Sequence, residues 1–237
     1  MINNYPLINI YEKSSLKSKL SSQLLYGEKF QILKKKNSWL KIKTSYDRYI
    51  GYIKTRNFIK KMKFTHKISS LRANLYSKPR KISKIGSKLS FCSLISVSDK
   101  KNNFYKFEKY WVQKDDVMPI SYKQDIFKNI KMFINIPYKW GGKSYKGIDC
   151  SALVQLFFKF NNLYCPRDTK DQIKYFKKVN KIKKNAIIFW KGHVAVCLSK
   201  KNLIHAYGPK KKVLIMNINK TLKLIKEEAR LQVIGIR

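Results

Sequence analysis

Apolar and polar positions alternate in short runs through the first quarter of the chain. Leu7–Tyr11, Lys29–Leu33, Trp39–Lys43 and Tyr49–Ile53 carry apolar side chains at a period near two, with turn-prone Gly27 and Asn37-Ser38 between them. That period predicts half-buried β-strands. A second set lies between about 64 and 118: Ile68–Leu71, Ser90–Val97, Asn103–Phe107 and Tyr110–Val112. The two sets close alike, with Gly51-Tyr52-Ile53-Lys54-Thr55-Arg56-Asn57-Phe58 against Tyr110-Trp111-Val112-Gln113-Lys114-Asp115-Asp116-Val117. The expectation is a degenerate duplication of one small all-β barrel, residues 1–60 and 61–118.

The pattern changes after Pro119. Ile126, Phe127, Ile130 and Phe133 have helical spacing, predicting a helix over Tyr122–Phe133 that ends before Pro137. Ser151–Phe160 is apolar nearly all round and reads as a helix buried in a core. Asp171–Val179 suggests a further short helix. Strands follow at Ala186–Trp190, Val194–Leu198, Leu203–Tyr207 and Val213–Ile218, then an amphipathic segment Thr221–Arg230 and a closing strand Val233–Ile236. Helices first and an antiparallel sheet afterwards predict an α+β domain over 119–237.

Composition changes this picture little. Apolar residues make up 44% and aromatics 14%, enough for packed cores. The formal charge is +40, from 53 basic and 13 acidic residues. Such an excess ordinarily points to an anionic partner. Only seven of the basic residues are Arg, the side chain whose planar fork suits phosphate and guanine. Lys, Ile, Asn, Tyr and Phe run high together, as in AT-rich coding sequence, so no specific nucleic-acid partner is expected. The start of the chain has no basic-then-apolar leader, and no run of 18 uncharged apolar residues occurs. Neither a signal peptide nor a membrane span is therefore expected, and a cytoplasmic location is the first reading, a wall-associated one the second. The four cysteines form no CxxC and no metal spacing with the three histidines, so reduced thiols and no metal or cofactor are expected.

The candidate chemistry centres on Cys150. It follows Gly141-Gly142 and Gly147 and stands at the start of the predicted buried helix. There the unpaired N–H groups and the positive end of the macrodipole favour a thiolate, the nucleophilic form. The same N–H groups can cradle an oxyanion in acyl transfer. Two of the three histidines, His193 and His205, fall in consecutive predicted strands. If Ser199-Lys200-Lys201 is a three-residue hairpin loop, both imidazoles share a face; a loop of two or four residues would separate them. One imidazole could then take the thiol proton while the other orients it. Cys92 and Cys197 read as core cysteines, and His66 lies outside this chemistry. Asp149 precedes the helix at the N-cap position.

These residues resemble the NlpC/P60 family of cell-wall cysteine peptidases, which have a papain-like fold. The resemblance rests on Pro137-Tyr138, Trp140-Gly141-Gly142, Gly147-Ile148-Asp149-Cys150-Ser151, Cys165-Pro166-Arg167-Asp168-Thr169, Phe189-Trp190, Gly192-His193-Val194 and Ile204-His205-Ala206, and covers about 119–237. Leu25-Tyr26-Gly27-Glu28, Trp39 and Gly51-Tyr52-Ile53 look like bacterial SH3-type domains. The resemblance implies Cys150 as nucleophile, His193 as general base and His205 as the orienting third member. It implies hydrolysis of the γ-D-Glu–diamino acid bond in murein stem peptides, with Asp149 and Ser151 holding a free N-terminal L-Ala amine. Tyr138 would line the same subsite, and Thr169 stands where a serine often contributes. The sequence departs from the family pattern at Ala152, at Lys184-Asn185 and at Tyr207–Lys212. Two alternatives belong to other classes. One is a basic SH3-type module binding nucleic acid or wall polymer beside an inactive peptidase; the other is an amidase or acyltransferase on the same fold.

Overall fold

The period-two runs of the first fifty residues become strands of one antiparallel sheet in the computed structural model, which describes residues 1–237. β1 (Leu7–Tyr11), β2 (Leu20–Leu25), β3 (Phe30–Lys36), β4 (Trp39–Thr44) and β5 (Ile50–Lys54) pair in the order β2-β1-β5-β4-β3. Their inward positions Ile8, Ile10, Leu24, Phe30, Leu40, Ile42 and Ile53 form a core. β2 was not legible in the sequence because its centre is Ser21-Ser22-Gln23, yet all three are buried. Cross-strand hydrogen bonds offset that burial: Ser21 Oγ donates to the Ile10 carbonyl at 3.1 Å, and Gln23 Nε2 to Asn9 Oδ1 at 2.8 Å.

The second set contains β6 (His66–Ile68), β7 (Arg72–Tyr76), β8 (Lys84–Ser90), β9 (Leu94–Ile95), β10 (Asp99–Lys101), β11 (Phe104–Phe107), β12 (Tyr110–Gln113) and β13 (Val117–Pro119). They make a sheet of order β10-β11-β12-β7-β8 and a small one of order β13-β6-β9. The strand expected over Ile68–Leu71 is misplaced: the strand is His66–Ile68 and Ser69–Leu71 lies outside it, while β7 was not foreseen; its inward residues are only Ala73 and Leu75 before Tyr76, a short signal. The two sets belong to one unit, residues 1–123 with Lys143–Tyr145 (β14 is Lys143–Ser144). Tyr26, from the turn after β2, is buried in the second core beside Phe107, and its hydroxyl donates to Glu108 Oε1 at 2.6 Å. Gly27 makes that approach possible: φ is +82°, and an added Cβ would stand 2.5 Å from the Leu94 carbonyl oxygen. His66 packs against Tyr105 in this unit with the rings tilted at 45°, its Nδ1 2.8 Å from Thr65 Oγ1.

The other unit comprises residues 124–142 and 146–237. The helix expected over Tyr122–Phe133 is a correction: only Ile130–Phe133 is helical, as a 3₁₀ segment, and the residues just before it form turns. Phe127 has φ +67°, which ends any helix there. The apolar spacing is used for packing instead, with Phe127 and Phe133 against Phe157 at 5.8 and 5.9 Å. After β15 (Gly147–Ile148) comes α1 (Cys150–Phe160), of which nine of eleven residues are buried, then α2 (Thr169–Tyr175). A five-stranded antiparallel sheet follows from β16 (Ile187–Trp190), β17 (His193–Cys197), β18 (Asn202–Tyr207), β19 (Lys212–Asn217) and β20 (Val233–Ile236), ordered β19-β18-β17-β16-β20. α3 (Ile218–Ala229) places Ile218 and Ile225 in a core with Ile188, Trp190, Ala195, Cys197 and Leu203. α1 lies against β17 and β18. Asn185, where the family pattern has another residue, supplies a left-handed turn (φ +69°) into β16, and its N–H donates to the Cys197 carbonyl at 2.8 Å. No helix is long and apolar enough to cross a membrane.

Candidate active site

Helix α1 begins at Cys150 because Asp149 caps it. The Asp149 backbone is extended (φ −96°, ψ 173°), and Oδ1 accepts from the Ala152 N–H at 2.8 Å. The rest of the carboxylate is also taken up. Oδ1 accepts from Ser151 Oγ at 3.2 Å and Arg167 Nη1 at 3.0 Å; Oδ2 accepts from the Gly141 N–H at 3.0 Å and Arg167 Nη2 at 2.6 Å. Arg167 Nη1 also donates to Ser151 Oγ at 2.9 Å. One buried carboxylate thus ties together the helix start, the glycine loop and the 165–169 segment. Asp149, expected to hold a substrate amine, has its charge matched by a bidentate guanidinium inside the protein. Arg167 was legible only as a letter in a motif; nothing in its spacing announced that it would meet Asp149.

The loop before the helix is held close. Gly141 has φ +71°, and a Cβ on Gly142 would lie 2.4 Å from the Gly147 carbonyl oxygen. Tyr138 bridges in parallel to Ile148, and its N–H donates to the Lys211 carbonyl at 2.8 Å. Burial first, and then the negative charge of Asp149, push the Tyr138 phenol well above its ordinary pKa, so the hydroxyl stays protonated. Ser151 is buried, and its carbonyl accepts from Gln172 Nε2 at 2.9 Å. Thr169 opens α2 at partial exposure.

The hairpin between the histidine strands satisfies the condition set by the sequence. Val196 pairs with Ile204 and Cys197 with Leu203, and the Leu198 N–H donates to the Asn202 carbonyl at 2.8 Å. The loop is therefore Ser199–Lys201, three residues, with Ser199 Oγ accepting from the Lys201 and Asn202 N–H groups. The register puts His193 and His205 on one face, diagonal to each other. His193 Nε2 lies 2.9 Å from His205 Nδ1. Cys150 Sγ meets the start of the same strand, 3.9 Å from the Gly192 carbonyl oxygen. The N–H groups of Val194 and Ser151 favour its charged form. The Cys150 thiol thus lies against the backbone on either side of His193, whose ring meets that of His205, although the two histidines are 43 and 55 positions further along the chain.

Burial governs the resting protonation. The thiol is pushed up to about 12, first by burial and next by the Asp149 charge, against the smaller favourable pull of the Val194 N–H, Arg167 and the Ser151 N–H. The expected lowering by the helix start is therefore present in those N–H groups but outweighed. His193 is lowered to about 4 by burial, and His205 to about 3 by burial and then by His193. Thiol and imidazoles rest neutral at pH 7. Between about pH 6.5 and 4 the unfolded chain binds protons that the folded imidazoles refuse, so stability falls as pH falls through that window. Denaturant unfolding of wild type across this range should show that slope. His205→Asn should make it shallower by up to about one bound proton. An unchanged slope would contradict neutral burial of His205.

Residues 135–226 match the NlpC/P60 family, and residues 10–57 match the bacterial dipeptidyl-peptidase SH3 domain. The chain is 27% identical to the gamma-D-glutamyl-L-lysine dipeptidyl-peptidase of Bacillus subtilis strain 168, over 86% of this chain and 77% of that protein. It is 26% identical to dipeptidyl-peptidase 6 of Lysinibacillus sphaericus, over 84% of each. Its fold is that of an NlpC/P60 family protein from Bacillus cereus ATCC 10987, with a TM-score of 0.84, 20% identity and 100% and 98% of the two chains covered.

Proposed function

Residues 135–226 form an NlpC/P60 domain, which makes the chain a cysteine peptidase, and we propose that it hydrolyses the γ-D-Glu–diamino acid bond of murein peptides with a free N-terminal L-Ala. The observation that carries this reading is the His193–His205 pair at 2.9 Å on the adjacent strands β17 and β18, with the Cys150 thiol against the Gly192 carbonyl just before β17. Relatives named for dipeptidyl-peptidase activity on γ-D-glutamyl-L-lysine support the bond and the substrate class.

In this mechanism Cys150 Sγ attacks the γ-glutamyl carbonyl carbon while its proton passes to His193 Nδ1. Because the resting pair is neutral, proton transfer accompanies attack rather than preceding it. The carbonyl electrons move to oxygen, with the Tyr138 hydroxyl available as a donor. Collapse expels the diamino acid's amine, which takes the proton from His193, and leaves a thioester. Water, deprotonated by His193, then releases the dipeptide and restores the thiol. His205 holds the imidazole in place. Asp149 and Ser151 set the substrate subsite by fixing the helix start, and Thr169 borders it. The β-strands of 61–118 read as a second SH3-type barrel beside the first, and the work is trimming of short peptides in the cytoplasm.

Mass spectrometry of L-Ala-γ-D-Glu-L-Lys and its N-acetyl form after incubation with the protein tests this. Free lysine from the unblocked peptide alone is the expected result. Cleavage of both forms would remove the amine requirement, and cleavage of neither would overturn the assignment.

A further inference from the structure

His205 is wholly buried, and both of its ring nitrogens face a specific atom. Nδ1 lies 2.9 Å from His193 Nε2, and Nε2 lies 3.4 Å from Met216 Sδ. Met216 reaches this place through register: His205 pairs with Leu214, so Met216, two residues on, stands on the same face of the adjacent strand. It belongs to none of the motifs that mark the site. Tyr207 stacks on the His205 ring at 4.8 Å and 8° between planes, which holds the ring in the orientation that aims Nε2 at the sulfur.

A thioether has lone pairs and no proton, so it can accept a hydrogen bond but never donate one. A neutral imidazole has one N–H and one bare nitrogen. With Nε2 of His205 facing sulfur, the favourable state puts its proton on Nε2 and leaves Nδ1 bare. Nδ1 then accepts, so His193 carries its own proton on Nε2. The bare nitrogen of His193 is therefore Nδ1, the atom a general base must use toward the thiol. In the opposite tautomer His205 would donate from Nδ1, His193 Nε2 would be bare, and Nδ1 would carry a proton and be useless as a base.

We infer that Met216 is a positioning residue that sets the tautomer of His205, and through it keeps Nδ1 of His193 free for the thiol. The consequence for turnover rests on the peptidase reading above; the tautomer assignment does not. The chain has only three histidines, so ¹⁵N-labelled imidazoles are few enough to assign. Long-range ¹H–¹⁵N correlation on the full chain at neutral pH should find His205 and His193 both protonated at Nε2. Met216→Leu keeps apolar bulk and removes the acceptor. It should shift His205 toward the Nδ1–H form and lower kcat about three- to tenfold, the range one ordinary hydrogen bond supports, with KM unchanged. Met216→Gln restores an acceptor oxygen at similar reach and should recover both the tautomer and kcat. A wild-type His205 protonated at Nδ1 overturns the inference without any variant. So does a Met216→Leu protein whose tautomer or kcat is unmoved. If the wild type fails to cleave the peptide while the tautomers are as stated, the substrate reading fails and the tautomer assignment stands.

Discussion

Cys150→Ser is expected to abolish release of lysine from L-Ala-γ-D-Glu-L-Lys, a loss of about a thousandfold or more, since nucleophile and base act as one unit. A serine hydroxyl is less acidic than a thiol and a poorer nucleophile, and the two neutral imidazoles here have little basicity to spare. The substitution replaces one buried atom at the first residue of α1 and leaves the Asp149 cap intact, so thermal unfolding should change little. Loss of turnover with an unchanged Tm would place the defect in the chemistry. Turnover within tenfold of wild type would remove Cys150 from the mechanism. Substituting Cys197, which is buried in the sheet core, should instead move stability and leave kcat near its starting value.

The second large effect falls on folding. Arg167→Met removes the guanidinium that neutralises the Asp149 carboxylate through two hydrogen bonds and also donates to Ser151, leaving a charge at 7% exposure with the Gly141 and Ala152 N–H groups and the Ser151 hydroxyl. Breaking a buried ion pair from one side costs about 3–5 kcal/mol. For a chain of this length that is a Tm fall of roughly 10 °C, read by calorimetry. Activity should fall as well, because the same carboxylate fixes the helix start that presents Cys150. Adding Asp149→Asn to Arg167→Met removes the stranded charge while keeping a capping oxygen, and should recover part of the lost stability. A single-variant cost below about 1 kcal/mol would show that the pair does not hold the site together.

Period and punctuation carried most of the element assignments. α1 and the five strands of the last sheet follow the apolar pattern to within about two residues, because each buries one consistent face or is buried all round. The failures share a cause. β2 hides polar side chains that find partners only across the sheet, and the Tyr122–Phe133 segment uses helical spacing to seat aromatic rings without winding a helix. In both, tertiary contacts outweighed local propensity.

The sequence by itself determined which residues could do the chemistry: one cysteine at a helix start behind glycines, and two histidines whose three-residue loop dictates a common face. Those are local properties, set by turn geometry and the period of a strand. Only the tertiary structure decided the protonation and the support. Burial raises the thiol and lowers both imidazoles, which no spacing reveals, because desolvation depends on what packs around a group. Arg167 meets Asp149 across 18 residues of chain once the loop before α2 has packed on the start of α1, and Met216 meets His205 across 11 once β18 and β19 have paired.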